Sequence, residues 1–391
     1  MARNTKLKEA QKKVETALDK TNKSIEILGS HTGNLYDVLT EIQSKFDKIR
    51  NVPSDKKLEY TKLVQIRLSW KSEVDKIEED YDAAVKKHAG SGLAGASLGV
   101  GVVAMGPTVA MGVATTFGVA STGTAISALS GAAATNAALA WLGGGALAAG
   151  GGGMAAGEAF LAMAGPVGWT IAGVSLLASV FFLHRAKEKT RRLEEIFTLI
   201  SERDAKKYDL ATVELNERIA RIIDESEQLR KACEAIDLFG TDYLSMTENQ
   251  QYALGSYVNL MKSATQLLVN PILGLQPKYT TADFLEFQST HRFKENFEYE
   301  AYSYYDPDGF YKAHLNVSYS LANLFYKIDL SDDDIKLLYK SFRKNKDFLK
   351  NMGLKKDQFG KLMITIARDM LQWQKRKSLE LPMESLCDDT D

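Results

Sequence analysis

The stretch Ala89–Leu183 opens AGSGLAGASLGVGVVAMG and closes WTIAGVSLLASVFFL, and its 95 residues carry one formal charge, Glu158, together with most of the glycines of the 391-residue chain. No ordinary protein surface is this long and this uncharged. About 20 apolar residues cross a bilayer core as a helix, so the stretch has room for two spans and for four at most. Ala159–Leu183 (AFLAMAGPVGWTIAGVSLLASVFFL) has the length, aromatics and branched residues of a span. Leu93–Ala114 (LAGASLGVGVVAMGPTVAMGVA) is a second, glycine-diluted one. Thr122–Ala149 between them is rich in Ala, Gly, Ser and Thr, gains little on transfer to lipid, and reads as a packing helix. Gly95 with Gly99 and Gly153 with Gly157 form small-xxx-small pairs, which let helices touch inside lipid and predict homo-oligomerisation. The alternative for the whole stretch is a Gly/Ala-rich hairpin buried in a helical bundle. Against it stand the length without a polar face, the cost of about 1 kcal/mol for each interior Gly, and the basic flanks.

Those flanks set a topology. Lys86, Lys87 and His88 precede the stretch, and His184, Arg185, Lys187, Lys189, Arg191 and Arg192 follow it. Positive flanks stay on the cytoplasmic side, so the number of crossings is even, most simply two. Lys86, Lys87, His88, Glu158, Trp169, His184 and Arg185 are then the candidate interface residues, with Glu158 at the far interface. In the rival four-span arrangement Glu158 lines a water-filled path, because an intramembrane carboxylate implies function.

Both sides of the stretch carry helical periodicity. Leu7, Ala10, Val14, Ala17, Thr21, Ile25 and Leu28 mark one amphipathic helix, and Gly29-Ser30-His31-Thr32-Gly33 is expected to end it. A second helix carries Leu35, Val38, Ile42, Phe46 and Ile49 and stops before Pro53, with Ser54 expected to cap a third. The third has the stripe Leu63, Ile66, Trp70, Val74, Ile77, Tyr81 and Ala84, which asks for a partner helix and makes Trp70 the expected buried anchor. Beyond the stretch, Leu193, Ile196, Ile200, Leu215, Ile219, Ile222, Leu229, Cys233 and Ile236 form a second coil, broken at Ser226, which is the expected partner of the third helix. Past Gly240, Tyr and Phe concentrate. Helices are expected over Glu248–Leu268, Pro307–Tyr326, Asp332–Asn345 and Lys356–Lys377, with Ser331 and Asp334 matching a capping pattern. The reading is all-α, in four parts: 1–88 amphipathic helices, 89–184 the hydrophobic segment, 185–238 a coiled-coil helix and 239–391 an aromatic-rich helical module.

Composition excludes several classes. A net charge of −1 gives no basic excess for a nucleic-acid footprint. Two cysteines, Cys233 and Cys387, make no disulfide framework. The amino-terminal MARNTKLKEAQKK shows no secretory signal, so cytoplasmic synthesis followed by membrane association is expected. Gly90-x-Gly92-x-x-Gly95 follows a helix and lacks the acidic partner of a dinucleotide site, and Gly360-Lys361-Leu362 lacks the spacing and hydroxyl of a phosphate loop. Asp306-Pro-Asp-Gly309 lacks the ligands that complete a calcium loop. The five histidines show no metal-ligand spacing. No cofactor, metal or enzymatic activity is expected.

Long amphipathic helices flanking one uncharged, glycine-rich segment give residues 1–238 an architecture that resembles the helical-bundle pore-forming toxins and related membrane-perforating effectors. The run Gly123–Gly157 also looks like a segment of bacterial membrane proteins of unassigned function. The toxin resemblance implies a shielded form whose hairpin is released and oligomerises in a bilayer. The uncharged segment is longer than those proteins usually need, and the aromatic module has no counterpart among them. Two functions follow as expectations: a conditional membrane-inserting effector, and a constitutive membrane scaffold whose coils recruit partners or shape the bilayer. A protein partner for the C-terminal module is a further expectation.

Overall fold

The structure, a computed structural model, describes residues 3–89, 107–117, 187–275, 278–279, 281–290, 310–344, 349 and 354–380. The class is all-α: among the described residues there are helices α1 (Arg3–Phe46), α2 (Ser54–Ala89), α3 (Pro107–Phe117), α4 (Lys187–Asp237), α5 (Glu248–Val269), α6 (Thr281–Thr290), α7 (Phe310–Leu324), α8 (Asp332–Phe342) and α9 (Lys361–Glu380), and no strand. The chain divides into two compact units. One comprises Glu9–Gly150 and Glu202–Gln276; the other comprises Met1–Lys8, Gly151–Ser201 and Pro277–Asp391. The division therefore places α5 with the long helices, and gives the first turns of α4 to the aromatic unit.

In the first unit α1 is a single helix of 44 residues, and the break expected at Gly29–Gly33 does not occur. Two physical reasons account for the difference. The buried stripe runs on through the glycines at spacings of three and four, as Leu28, Thr32, Leu35, Leu39 and Ile42, so ending the helix there would expose its apolar face. Gly29 itself is buried against α3, where the missing side chain makes room for another backbone. A helical hairpin follows. Trp70 of α2 is fully buried, as expected, with its ring 5.7 Å from that of Tyr36 on α1. Arg67 donates to the Leu39 carbonyl at 2.6 Å, and the Tyr60 hydroxyl lies 3.0 Å from the Gln43 carbonyl. Higher α2 numbers meet lower α1 numbers, so the two helices are antiparallel.

The partner of α4 is α1, and the two run parallel. Thr21 meets Thr212 at 2.9 Å, Ser24 donates to Asn216 at 3.2 Å, and Lys45 reaches Asp237 at 2.6 Å, at nearly constant offset. Beyond both helices the parallel course continues as a bridge between Arg50 and Asp242. α5 then folds back along α4: Glu225 accepts from Ser263 at 2.7 Å and Arg218 donates to the Leu267 carbonyl at 2.8 Å. Thr247 and Gln250 close a capping box at its start. α2 packs against α3 and α5.

The second unit gathers α6 to α9 around the fully buried rings of Phe287, Phe325, Phe342 and Phe359. Every residue from Val317 to Phe325 is buried, which makes α7 its central helix. Tyr319 donates to the Tyr279 carbonyl at 2.7 Å, and Asn323 accepts from the Tyr279 amide at 2.9 Å, so the polar groups that α7 carries into the core are satisfied. Leu193, Ile196, Phe197 and Ile200 of α4 belong to the same core, as does Leu7. The expected capping box of Ser331 and Asp334 is present at α8.

Candidate membrane segment and its surroundings

Of the uncharged stretch only Ala89 and α3 are described, and most of the described side chains of α3 are buried, Thr108 being exposed. Ala110, Gly112, Val113, Ala114, Thr115 and Thr116 are all buried, and Met111 is half-buried. A helix apolar all round belongs in a core or in lipid; here it lies against α1, α2 and α5. Glycine makes the α1 contact. A Cβ on Gly112 would overlap the Ile25 carbonyl oxygen, and one on Gly29 would overlap the Thr108 carbonyl oxygen. The two backbones thus approach as closely as helices packed in membranes do. Past the end of α3, the Ile272 amide donates to the Thr116 carbonyl at 2.7 Å and satisfies one of the acceptors a helix end leaves open. The Thr115 and Thr116 hydroxyls have no hydrogen-bond partner among the described residues.

An 11-residue helix rises about 16 Å, half of a bilayer core. Among the described residues no helix is long and apolar enough to cross a membrane. Of the expected span Leu93–Ala114, residues 107–114 lie in α3 and the rest fall outside the described residues, as does all of Ala159–Leu183. Gly95, Gly99, Gly153, Gly157, Glu158, Trp169, His184 and Arg185 are likewise outside them. Lys86, Lys87 and His88 fall in the last turn of α2, but their side chains are outside the described set. Within the helical unit α2 runs antiparallel to α1, and the part of α4 from Glu202 runs parallel to α1.

Charged groups line this bundle at positions that sequence periodicity assigns to apolar residues. Asp204 occupies the core stripe of α4 between Ile200 and Tyr208 and is fully buried. Burial pushes its carboxyl up to about 6, against the pull of Arg203, which donates to it at 2.8 Å, and of Lys207. Burial lowers Lys207 to about 8, opposed by the Asp204 charge. Arg67 replaces the expected Ile66 as the buried residue of its turn; desolvation lowers its pKa, and its guanidinium sits 5.5 Å from the Tyr36 ring centroid. Burial likewise raises Glu225, with the Ser263 bond opposing it. Cys233 is a free, buried thiol raised to about 11, which makes it unreactive. The sequence signal for Asp204 was available, since it falls on the heptad stripe four residues after Ile200 and four before Tyr208.

Arg192, on the basic flank, is held in the aromatic unit. Its Nε donates to Asp334 Oδ1 at 2.8 Å and its Nη2 to Oδ2 at 3.0 Å, a bidentate pair. Asp334 is buried, which opposes its ionisation, yet the Arg192 and Ser331 bonds hold its pKa below the usual carboxylate range. No group of three or more His, Cys, Asp or Glu capable of holding a metal occurs among the described residues. Comparison with protein-family models, with curated proteins and with solved structures finds no match for this chain.

Proposed function

We propose that this chain is a membrane-inserting helical effector that keeps part of its Gly/Ala-rich stretch sheathed by its own amphipathic helices and releases it to oligomerise in a bilayer. The observation that supports this reading is the burial of α3 behind the Gly29 and Gly112 backbone contact. In a permanently spanning scaffold, residues of the stretch would be spent on lipid. Here those of α3 are spent on α1, α2 and α5. The basic flanks on both sides of the stretch suit a segment that enters and leaves a membrane on one side, with an even number of crossings.

A reversible tether tests the release step. Gly33 faces the Met111 sulfur, 3.1 Å from where its Cβ would lie, so cysteines at both positions, in a background with Cys233→Ser and Cys387→Ser, would lock α3 to α1 through a short reducible linker. The locked protein is expected to leave dye-loaded vesicles intact and to permeabilise them after reduction. Equal dye release with and without the tether would overturn the sheathing. A parent that resists alkaline carbonate extraction and releases no dye would point to the constitutive scaffold.

A further inference from the structure

The segment Lys340–Lys361 carries seven lysines, one arginine and two aspartates, in a chain whose net charge is −1. The fold of the aromatic unit collects the described part of this charge at one place. Phe359 is buried, with its ring 6.1 Å from Tyr339 and 6.0 Å from Phe342 on α8. This plug draws the loop before α9 onto the C-terminal end of α8, where Arg343 donates to the Lys356 carbonyl at 3.3 Å and its guanidinium stands 5.7 Å from the Tyr339 centroid. Lys340 on α8, Arg343 and Lys344 just past its end, Lys355 and Lys356 from the loop, and Lys361 from α9 are all exposed. Nearby acids are engaged elsewhere: Asp333 pairs with Lys336 at 3.0 Å, and Asp332 and Asp369 pair with Arg368. Of the two aspartates in the segment, Asp357 is described and exposed.

We infer that this patch is a docking surface for the anionic headgroups of a lipid bilayer. Charge complementarity supplies the attraction, since a cluster of four to eight basic residues is what an anionic leaflet recruits. Leu362, 42 % exposed beside Lys361, supplies an apolar side chain at the same surface. That combination suits an interface with both headgroups and acyl chains, and a phosphate backbone makes no use of it. The choice of a bilayer rests on the membrane reading above, and it assigns the aromatic unit a task the helical unit does not perform: holding the chain at the surface before any segment inserts.

The experiment is co-sedimentation of the full chain with vesicles of phosphatidylcholine alone and of phosphatidylcholine with about a third phosphatidylglycerol. The parent is expected to bind the anionic vesicles at least a hundredfold more tightly at low salt, with the difference shrinking as salt is raised. Lys344→Gln, Lys355→Gln and Lys356→Gln together remove three exposed charges. Each basic residue near an anionic surface contributes about fivefold, so the triple variant should bind about a hundredfold more weakly at low salt with an unchanged helical spectrum. Equal binding to both vesicle types, anionic binding untouched in the triple variant, or a stronger hold on a 20-nucleotide duplex than on the anionic vesicles would each overturn the inference. Dye release separates this from the insertion reading: vesicles bound yet left intact sink insertion and keep docking, whereas leakage undiminished in the triple variant sinks docking and keeps insertion.

Discussion

The two units bury their helices by different means. The aromatic unit is closed by large rings, Phe287, Phe325, Phe342 and Phe359, and satisfies its buried Asn323 and Asp334 with bidentate or paired bonds. In the helical unit the core is laced with Thr21, Ser24, Thr32, Arg67, Thr115, Thr116 and Asp204, and α3 meets α1 through glycine backbones. Apolar rings gain from burial in proportion to their area, so separating them is costly in water. Polar and small side chains gain much less, so a helix held by them can leave at lower cost. Under the proposed function, this difference assigns release to α3 and lasting order to the aromatic unit.

The largest effects should come from the rings. Phe342→Ala and Trp70→Ala should each cost about 3–5 kcal/mol, the range for large-to-small core changes. Measured by hydrogen exchange, Phe342→Ala should raise exchange in α7 to α9 and Trp70→Ala in α1 and α2. Loss of protection spreading equally through both units from either variant would erase the distinction between them.

Acid should act on the helical unit through Asp204, and the sign is opposite to that of ordinary acid denaturation. Its folded pKa of about 6 lies above the unfolded value of about 3.9, so the folded state holds the proton more tightly. Stability is then greatest below about pH 4 and falls as pH rises through about 6. The difference amounts to about 3 kcal/mol at full effect. Denaturation of this unit should become harder between pH 7.5 and 5, and Asp204→Asn should flatten the dependence. A parent that instead loosens over that interval, by a slope Asp204→Asn removes, would mean the carboxylate is better paired than its burial indicates.

Gly112→Ala comes next. The added Cβ meets the Ile25 carbonyl, and overpacking of this kind costs about 1–3 kcal/mol; the expected readout is faster proteolysis within α3 while the aromatic unit keeps its protection. Smallest is Asp334→Ala, which removes half of a capping box and the Arg192 pair, at about 1–2 kcal/mol. Because the folded pKa of Asp334 is depressed, its contribution is present above about pH 4 and disappears as pH falls below that. The parent should lose this increment in acid and the variant should have none to lose. The two carboxylates therefore answer acid in opposite senses, Asp204 tightening its unit and Asp334 loosening its own.

Much of this was written in the sequence. Three- and four-residue spacing marked α2, α4 and both halves of α1, because a stripe of apolar side chains must be buried along one face, and helices were also expected where α5, α7, α8 and α9 lie. The capping box at Ser331 and the burial of Trp70 follow from local chemistry and heptad position. The break expected at Gly29–Gly33 followed the ordinary reading of glycine, and only the packed structure shows α3 lying where those side chains would be. Periodicity marks which face of α4 is buried, but it pointed to α2 as the partner; the parallel pairing with α1 rests on polar contacts such as Thr21 with Thr212, which spacing does not encode. The basic end of the aromatic unit joins residues of α8, the loop and α9 through Phe359, a contact no spacing rule contains. Sequence determines what each helix must hide, whereas tertiary packing decides which neighbour hides it, because close approach depends on backbone geometry and on side chains distant along the chain.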